Sequence, residues 1–190
     1  MDFVLVNTTA RGTVFAITVV GPTLNPEVAM IVLKRLQSYL DSHQIPYQII
    51  GHSLAYTARE AVNSLHVPAD TFAKVVVVKA DGRYVMTVLP SNWKVDFRRL
   101  IDVLEYPHVR LATEEELATL FPDCEIGSMP PFGNLYGMPV YVDETLTRDE
   151  EIVFDAGSHV GAIKMRYQDF ADLVHPQVAE FHREPSKIEY

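Results

Sequence analysis

Lys74 is the residue whose type and setting most directly suggest chemistry. It stands just before a run of four valines, within the stretch from Phe72 to Pro90. Since side chains alternate along a strand, Lys74 is predicted to share a face with Phe72 and Val76. An ammonium group is rarely buried in such a setting without a partner or a purpose. From this strand alone two interpretations stay open: the side chain reaches outward to water, or the cation serves a site.

The stretch around Lys74 is predicted to fold as a β-hairpin. Its first strand, Phe72–Val78, is apolar on both faces, which is typical of a central strand that is covered on each side. The turn falls at Ala80-Asp81-Gly82, because Asp-Gly supplies the positive φ that a tight hairpin needs. Lys79 lies beside this turn and reaches water without difficulty, so only Lys74 calls for an explanation.

The second candidate is the loop Gly127-Ser128-Met129-Pro130-Pro131-Phe132-Gly133. Two glycines and two prolines in seven residues argue against a helix or a regular strand. The prolines stiffen the loop, and the glycines let its backbone approach a ligand closely. A rigid loop that exposes amide and carbonyl groups can hold a small polar group, although an isolated loop of this kind is more often only a turn.

The remaining reactive side chains give weaker signals. Cys124 is flanked by Asp123 and Glu125, and neighbouring carboxylates raise the pKa of a thiol, which opposes a nucleophilic role. His52 could form hydrogen bonds in a cleft, but a lone histidine is more often only a satisfied side chain. The seven histidines are scattered, and there is no metal-ligand spacing, phosphate loop or dinucleotide fingerprint. No metal or cofactor is therefore expected.

Composition is that of an ordinary globular protein with one domain, or one domain with additions. Of the 190 residues, 48% are hydrophobic and 22% are charged, and the net charge is −9. Such an acidic chain is a poor candidate for broad nucleic-acid binding, and DNA is not an expected partner. The best basic and aromatic patch, Trp93-Lys94 with Arg98 and Arg99, is explained equally well by a solvated helix face.

The sequence gives no indication of export or of membrane insertion. Its single cysteine excludes an intrachain disulfide and fits a reducing compartment. The start, Met-Asp-Phe, lacks the basic region of a secretory signal, and the apolar run Val14–Val20 is too short to span a bilayer. The expected location is therefore the cytoplasm.

Periodicity and capping signals predict a mixed order of strands and helices. Asn25 caps a helix that runs to about His43, with Pro26 in its first position. Thr57 and Thr113 each begin a capping box, and Asp96 caps a further helix. Several connections are too short for crossover helices, so the fold class is α+β with a mixed sheet. The other predictions are strands at Phe3–Val6, Thr13–Val20, Tyr47–Ile50, His108–Leu111, Pro139–Val142, Glu151–Asp155 and Ala162–Arg166, and short helices at Gln168–Val174 and Pro176–His182.

Four features occur in an order and spacing that resemble a known family. They are the segment His52–Ala61, the pair Ala73-Lys74 entering the valine strand, the loop Gly127–Gly133, and the segment Asp155–His159. In this register they are similar to the YbaK/ProX family of aminoacyl-tRNA deacylases, also called trans-editing factors. The resemblance covers about residues 26–175.

The resemblance implies an architecture. The expected fold is α+β, with a mixed, curved β-sheet flanked by helices, like the editing domain inserted in bacterial prolyl-tRNA synthetases. The deacylase domain is expected at residues 25–183. It follows an N-terminal β-hairpin-like extension at residues 1–24 and precedes a tail at residues 184–190.

The resemblance also implies an activity, the hydrolysis of the ester between a wrong amino acid and the 3′ end of a tRNA. Lys74 matches the family's essential lysine and is the expected catalytic residue. The loop that begins at Gly127 matches the family's loop that lines the aminoacyl pocket through its backbone. The expected substrate-binding residues are His52, Tyr56, Thr57, Gly127, Ser128, Met129, Pro130, Pro131, Phe132, Gly133, Asp155, Gly157 and His159.

The sequence and the resemblance also give expectations about the binding partners and about the role of Lys74. The acidic surface offers little grip on a tRNA body, so activity is expected to be confined to the aminoacyl-tRNA 3′ end or to need a synthetase or elongation factor. No membrane partner is expected. The alternative function is a non-catalytic module that binds aminoacyl-tRNA or an aminoacyl-adenosine-like ligand. The role of Lys74 stays open between electrostatic stabilisation, substrate positioning and action as a base.

Overall fold

The computed structural model describes residues 33–184 and the two strands at residues 3–8 and 14–19. The α-helices in this part of the chain are α1 (Lys34–Ser42), α2 (Ala58–Leu65), α3 (Phe97–Leu104), α4 (Glu114–Leu120) and α5 (Tyr167–Val174), and there are short 3-10 helices at Gly133–Tyr136 and Glu144–Arg148. The strands are β1 (Phe3–Thr8), β2 (Val14–Val19), β3 (Tyr47–Gly51), β4 (Ala73–Ala80), β5 (Arg83–Pro90), β6 (Lys94–Val95), β7 (Val109–Leu111), β8 (Val140–Asp143), β9 (Glu151–Ser158), β10 (Gly161–Arg166), β11 (Gln177–Ala179) and β12 (His182–Arg183). None of the described helices is long and apolar enough to cross a membrane.

The described strands form two mixed five-stranded sheets and one small ribbon. The first sheet has the order β1-β2-β3-β10-β9, and the second has the order β11-β8-β5-β4-β7. Each sheet contains both parallel and antiparallel pairs. Strands β12 and β6 form an antiparallel ribbon. The predicted α+β class with mixed strand directions is therefore confirmed.

The β4–β5 hairpin is the centre of the second sheet, as predicted. Its two-residue turn consists of Asp81 and Gly82, with φ angles of 44° and 84°. One face of β4 packs into the main core, and the other packs into a second cluster that includes Leu100 and Leu104 of α3. The prediction of a central strand covered on both faces is confirmed.

The two large sheets are joined at a parallel bridge between Phe72 and Val153. Both residues are buried in a third cluster, which contains Ala61 of α2. In the described part of the chain, β4 and β9 form no further ladder beyond this bridge. Because side chains alternate, Lys74 and Asp155, each two residues further on, lie on the same face as the bridging pair. We call this region the sheet junction.

Three predicted helix starts, at Thr57, Asp96 and Thr113, lie in the described part of the chain and are observed, with one difference at α2. Asp96 accepts hydrogen bonds from the first turn of α3, and Thr113 forms a complete capping box at the start of α4. At α2, Thr57 accepts a hydrogen bond from the amide of Glu60. The Glu60 carboxylate accepts from the amide of Tyr56 at 2.8 Å and not from that of Thr57. It therefore fixes the residue that precedes the cap.

The prediction of a helix at Pro176–His182 is wrong. The segment instead supplies β11, which pairs parallel with β8, and β12, which pairs antiparallel with β6. Seven residues are too few for a helix that lacks strong packing support, whereas both strands gain backbone partners. Phe181, between them, is fully buried. Tertiary contacts therefore decide the conformation of this segment.

Some predictions concern residues outside the described part of the chain. The helix start at Asn25-Pro26 and the tail beyond residue 184 belong to this group. The prediction of one continuous helix from Asn25 to about His43 is wrong, because Leu33 is not helical and its amide donates a hydrogen bond to the carbonyl of Ala156, so α1 begins only at Lys34 and ends at Ser42. Strands β1 and β2 pair antiparallel, and β2 also pairs in parallel with β3, so this hairpin extends the first sheet. The division into an extension and a deacylase domain stays a prediction.

Gly133, at the end of the Gly127–Gly133 loop, is enclosed by packing. An added Cβ would lie 2.7 Å from Cγ2 of Val140 and 2.9 Å from the carbonyl oxygen of Met138. We therefore expect Gly133→Ala to lower the unfolding free energy by about 1–3 kcal/mol through overpacking. Urea denaturation measures this change. Asp102→Ala, on the exposed face of α3, is the control, and equal stability of both variants would contradict the packing role.

Candidate functional site

Lys74 holds its ammonium group against the end of β5 and the turn that follows. Its Nζ donates a hydrogen bond to the carbonyl oxygen of Ser91 at 3.0 Å and another to the carbonyl oxygen of Trp93. An ammonium has three N–H donors, so these two described partners leave one for a further acceptor. The ammonium group is therefore partly buried, and two backbone carbonyl oxygens supply hydrogen-bond acceptors for it.

A cavity of about 430 Å³ lies at this ammonium group. Helix α2 lines one side with Arg59, Val62 and Asn63, and the turn after β5 lines the other. Lys94 and Arg59 make the walls positive. The wall residues are Arg59, Val62, Asn63, Ala69, Lys74, Ser91, Asn92, Trp93 and Lys94. Of the predicted basic patch, Trp93 and Lys94 thus line this cavity, while Arg98 and Arg99 belong to α3.

Burial changes the protonation of Lys74. Removal of the ammonium from water, with a smaller contribution from the nearby charge of Lys94, lowers the pKa of Lys74 to about 8. At pH 7 about nine-tenths of the molecules therefore still carry the ammonium form. A modest rise in pH would convert the group to a neutral amine.

The loop Gly127–Gly133 places its first residue in a second cluster of predicted site residues. Gly127 has φ of +99°, and an added Cβ would lie 3.5 Å from Cε1 of His159 and 3.8 Å from the carbonyl oxygen of Tyr56. The ring of Tyr56, which is 65% exposed, meets the ring of His159 edge to face at 5.0 Å. We call Gly127, Tyr56, His159, His52 and Asp155 the glycine cluster.

Glu125 holds the glycine cluster together, although sequence reasoning considered it only as a neighbour of Cys124. Its carboxylate accepts a hydrogen bond from the amide of His159 at 2.6 Å. Its amide donates to the carbonyl of Gly157, and its own carbonyl accepts from Ser128. The amide of Gly157 in turn donates to the carbonyl of Ser128. These contacts join two segments about thirty residues apart in sequence, which no local pattern reveals.

His52 and Asp155 form a buried pair at the inner side of the glycine cluster. The His52 side chain is fully buried, and its Nδ1 lies 2.8 Å from the carbonyl oxygen of Ser53. A carbonyl oxygen can only accept, so Nδ1 carries the proton and Nε2 of the neutral ring is an acceptor. Nε2 has no hydrogen-bond partner and lies 3.9 Å from Oδ1 of Asp155, too far for a hydrogen bond.

Burial shifts both members of this pair toward their uncharged forms. It lowers the pKa of His52 and raises the pKa of Asp155 to about 7. A protonated Asp155 is therefore abundant near neutral pH.

Several predicted binding residues also have structural positions. Thr57 caps α2, and Met129 and Phe132 belong to the main core, where the Phe132 ring packs against Phe154 and Phe170. Gly157 has φ of +98°, and an added Cβ would lie 3.0 Å from Cβ of Leu33. The residues from Ser128 to Gly133, including Pro130 and Pro131, are buried. A binding role for these residues stays a prediction, and it would be exerted through the backbone.

Cys124 is a packing residue with an unreactive thiol. Its Sγ lies 3.3 Å from the hydroxyl oxygen of Tyr136. Burial raises the pKa of Cys124 to about 11. This agrees with the sequence-based interpretation that the cysteine is not a nucleophile.

The cavity at Lys74 and the glycine cluster are neighbouring regions, separated by the start of α2. No hydrogen bond or ion pair between described residues joins Lys74 to Asp155 or to the glycine loop. By strand alternation, Lys74 and Asp155 each lie on the face of their own strand that carries the bridging residue, Phe72 or Val153. No group of three or more metal-binding side chains occurs among residues 33–184. The cavity therefore contains a fixed cation at Lys74, and the glycine cluster has an exposed ring at Tyr56 and exposed backbone at Gly127.

Comparison with solved structures defines the fold class. A proposed trans-editing enzyme for prolyl-tRNA synthetase has a TM-score of 0.70 and 22% identity, over 85% of this chain and 99% of its own. The hypothetical protein APE2540 has a TM-score of 0.72 and 17% identity, over 78% and 99%. A proposed signal transduction protein from Marinobacter aquaeolei VT8 has a TM-score of 0.65 and 16% identity, over 82% and 32%. These structures share the fold of this chain.

Comparison of sequences defines the family. The profile of the aminoacyl-tRNA editing domain matches residues 52–173, which begin at His52 and include Lys74 and the glycine cluster. The chain belongs to this family, as the four motifs predicted. A search of curated proteins gives no significant match.

The buried pair generates a prediction about pH and stability. The folded protein holds the Asp155 proton up to about pH 7, whereas the unfolded chain releases it near pH 4. The stabilisation from this proton is therefore lost as pH rises from about 4 to about 7. Asp155→Asn cannot titrate, so we expect the variant to gain stability relative to the wild type between pH 5 and pH 8.

Urea denaturation of both proteins at several pH values measures this difference. Asp102→Asn, at an exposed position of α3, is the matched control and should follow the wild type. If the free energies of unfolding of the wild type and Asp155→Asn differ by the same amount at every pH in this range, the pKa of Asp155 is not raised.

Proposed function

We propose that this protein hydrolyses the ester bond of mischarged aminoacyl-tRNA, as a trans-editing deacylase. The observation that carries the proposal is the ammonium of Lys74, held at a cavity by backbone carbonyls within the editing domain. The family supports the substrate class, and the geometry of Lys74 supports a catalytic role.

Lys74 is proposed to stabilise the transition state of ester hydrolysis. Attack of water on the ester carbonyl places negative charge on the carbonyl oxygen, and a fixed cation in a partly dry cleft stabilises that charge. The carbonyls of Ser91 and Trp93 hold the ammonium in place before substrate arrives. Its remaining N–H would donate to the ester oxygen. The cation is thus preorganised, and no reorientation is needed during the reaction.

The glycine cluster is proposed to receive the aminoacyl end of the substrate. Gly127 is exposed and has no side chain, so its backbone can lie close to a small amino acid. Small amino acids such as alanine, serine, cysteine and proline are accordingly the first substrates to test. Tyr56, on the rim, offers an exposed ring against which a base or a sugar can pack.

The proposed hydrolysis uses water as the nucleophile and needs no nucleophilic side chain from the protein. Water adds its oxygen to the acyl carbon, the bond to the ribose oxygen breaks, and a proton from the water ends on that ribose oxygen. The neighbouring ribose hydroxyl of the substrate can assist this transfer. The raised pKa of the Cys124 thiol argues against this cysteine as the nucleophile of an acyl-enzyme intermediate.

The proposed partner is the aminoacyl-tRNA 3′ end in the cytoplasm. With a net charge of −9, the chain offers little basic surface to a tRNA body. A synthetase or an elongation factor would then help to present the substrate.

The first prediction from this proposal concerns Lys74. Lys74→Ala removes the cation that stabilises the developing oxyanion, so the single-turnover rate constant should fall about 100-fold or more. Folding should survive, because the variant replaces a partly desolvated cation whose described hydrogen-bond acceptors are backbone carbonyls. Single-turnover deacylation of tRNAs charged with small amino acids measures the rate, and circular dichroism checks the fold.

Lys79→Ala is the matched control on the same strand. Lys79 forms an ion pair with Glu116 at 2.9 Å and lines no part of the cavity at Lys74, so the variant should hydrolyse near the wild-type rate. A folded Lys74→Ala protein with wild-type activity would refute the mechanism. Absence of hydrolysis by the wild type, with binding retained, would favour the non-catalytic binding module.

The second prediction distinguishes the two chemical roles of Lys74. If the ammonium form is active, the enzymatic rate should fall as pH rises through about 8, the pKa of Lys74. If the neutral amine acts as a base, the rate should rise through the same pH. We expect the fall. The measurement is single-turnover rate against pH, corrected for spontaneous hydrolysis, and Lys74→Ala should lack this inflection.

A further inference from the structure

The C-terminal strap, residues 177–183, crosses the molecule beside the cavity at Lys74. It begins as β11, paired with β8, and ends as β12, paired with β6. Between these strands the ring of Phe181 is fully buried in the cluster that includes Leu89 and Leu100. The strap lies beyond residue 173, where the match to the editing domain ends.

Asp143 anchors the strap to β8. Its fully buried carboxylate accepts from the amide of Phe181 at 3.0 Å and from Nδ1 of His182 at 2.9 Å. It also accepts from the amide and hydroxyl of Thr145, at 3.1 and 2.6 Å. Four donors around one carboxylate satisfy it in the interior and fix the position of His182.

His182 connects the anchored strap to the turn whose carbonyls bind the Lys74 ammonium. Its ring meets the ring of Trp93 edge to face, with centroids 4.5 Å apart. Its backbone pairs with Val95, and Arg183 pairs with Lys94. The strap therefore fixes the side chain of Trp93 and the backbone directly after it. The carbonyl of Trp93 is one of the two acceptors of the Lys74 ammonium.

We propose that the strap is a positioning element for deacylation, in which Asp143 and His182 fix the Trp93 carbonyl and thereby the ammonium of Lys74. The inference rests on the proposed function, since it assigns a role toward the same lysine. Ser91, the other acceptor, is held independently, because its amide and hydroxyl bond to the segment at Ala69–Phe72. Trp93 keeps a hydrogen bond from its amide to the carbonyl of Pro90, so loss of the strap would loosen this acceptor by removing the packing on its ring and the pairing after it, and would leave Ser91 unchanged.

The decisive variant is His182→Ala, which removes both the donor to Asp143 and the ring against Trp93. We expect the single-turnover rate to fall about tenfold or more, because small displacements of a catalytic group are costly. We also expect the titration midpoint of the Lys74 ammonium to move by at least about 0.5 pH from its wild-type value, because its hydrogen bonding and solvation change. NMR of lysine labelled at Cε and Nζ measures that midpoint without substrate.

The matched control is His108→Ala, which truncates an exposed histidine before β7. His182→Asn is the milder second variant, since its amide can still donate to Asp143 while the ring is lost. If His182→Ala is folded, a midpoint within about 0.2 pH of the wild-type value overturns the proposal. If His182→Ala does not fold, the same criterion is applied to His182→Asn.

The NMR midpoint separates this inference from the proposed function. A displaced midpoint with no deacylation by the wild type would refute the deacylase and keep the positioning of Lys74 by the strap. A wild type that deacylates, with an unmoved midpoint in the folded variant, would refute the strap alone.

Discussion

The structure depends on one constraint, the need to supply acceptors to an ammonium that enters an apolar sheet at Lys74. The strand that carries it is covered on both faces, so the acceptors have to come from a chain segment that leaves the sheet. That segment is the turn after Pro90, whose carbonyls at Ser91 and Trp93 point at the cation. Such charge-assisted hydrogen bonds contribute about 1.5–3 kcal/mol each, enough to offset part of the desolvation.

The same constraint explains why distant segments converge on a short turn. Ser91 is tied back to the residues that precede β4, with its hydroxyl 2.7 Å from the carbonyl of Ala69. Trp93 is tied to the C-terminal segment through His182. At the start of α2, the carboxylate of Glu60 accepts a hydrogen bond from the amide of Tyr56. Positive charge at the cavity comes from the side chains of Arg59, Lys74 and Lys94, which line it.

Much of the fold could be predicted from sequence because its signals are local. The Asp81-Gly82 turn and the caps Asp96 and Thr113 each depend on residues a few positions apart. The segment at 176–182 could not be predicted in this way, since its conformation depends on pairing with β8 and β6. The site shows the same division. Sequence identified Gly127 by its residue type, but it could not show that Phe132 faces the core or that Glu125 reaches His159.

The low reactivity of the Cys124 thiol has a practical consequence. The chain contains one cysteine, and with a pKa of about 11 only about one thiol in ten thousand is ionised at pH 7. Maleimide dyes react with the ionised form, so a new cysteine on an exposed surface would be labelled far faster than the native one. A single fluorophore can therefore be attached without first replacing Cys124. The packing of its sulfur against Tyr136 would stay intact in every labelled protein.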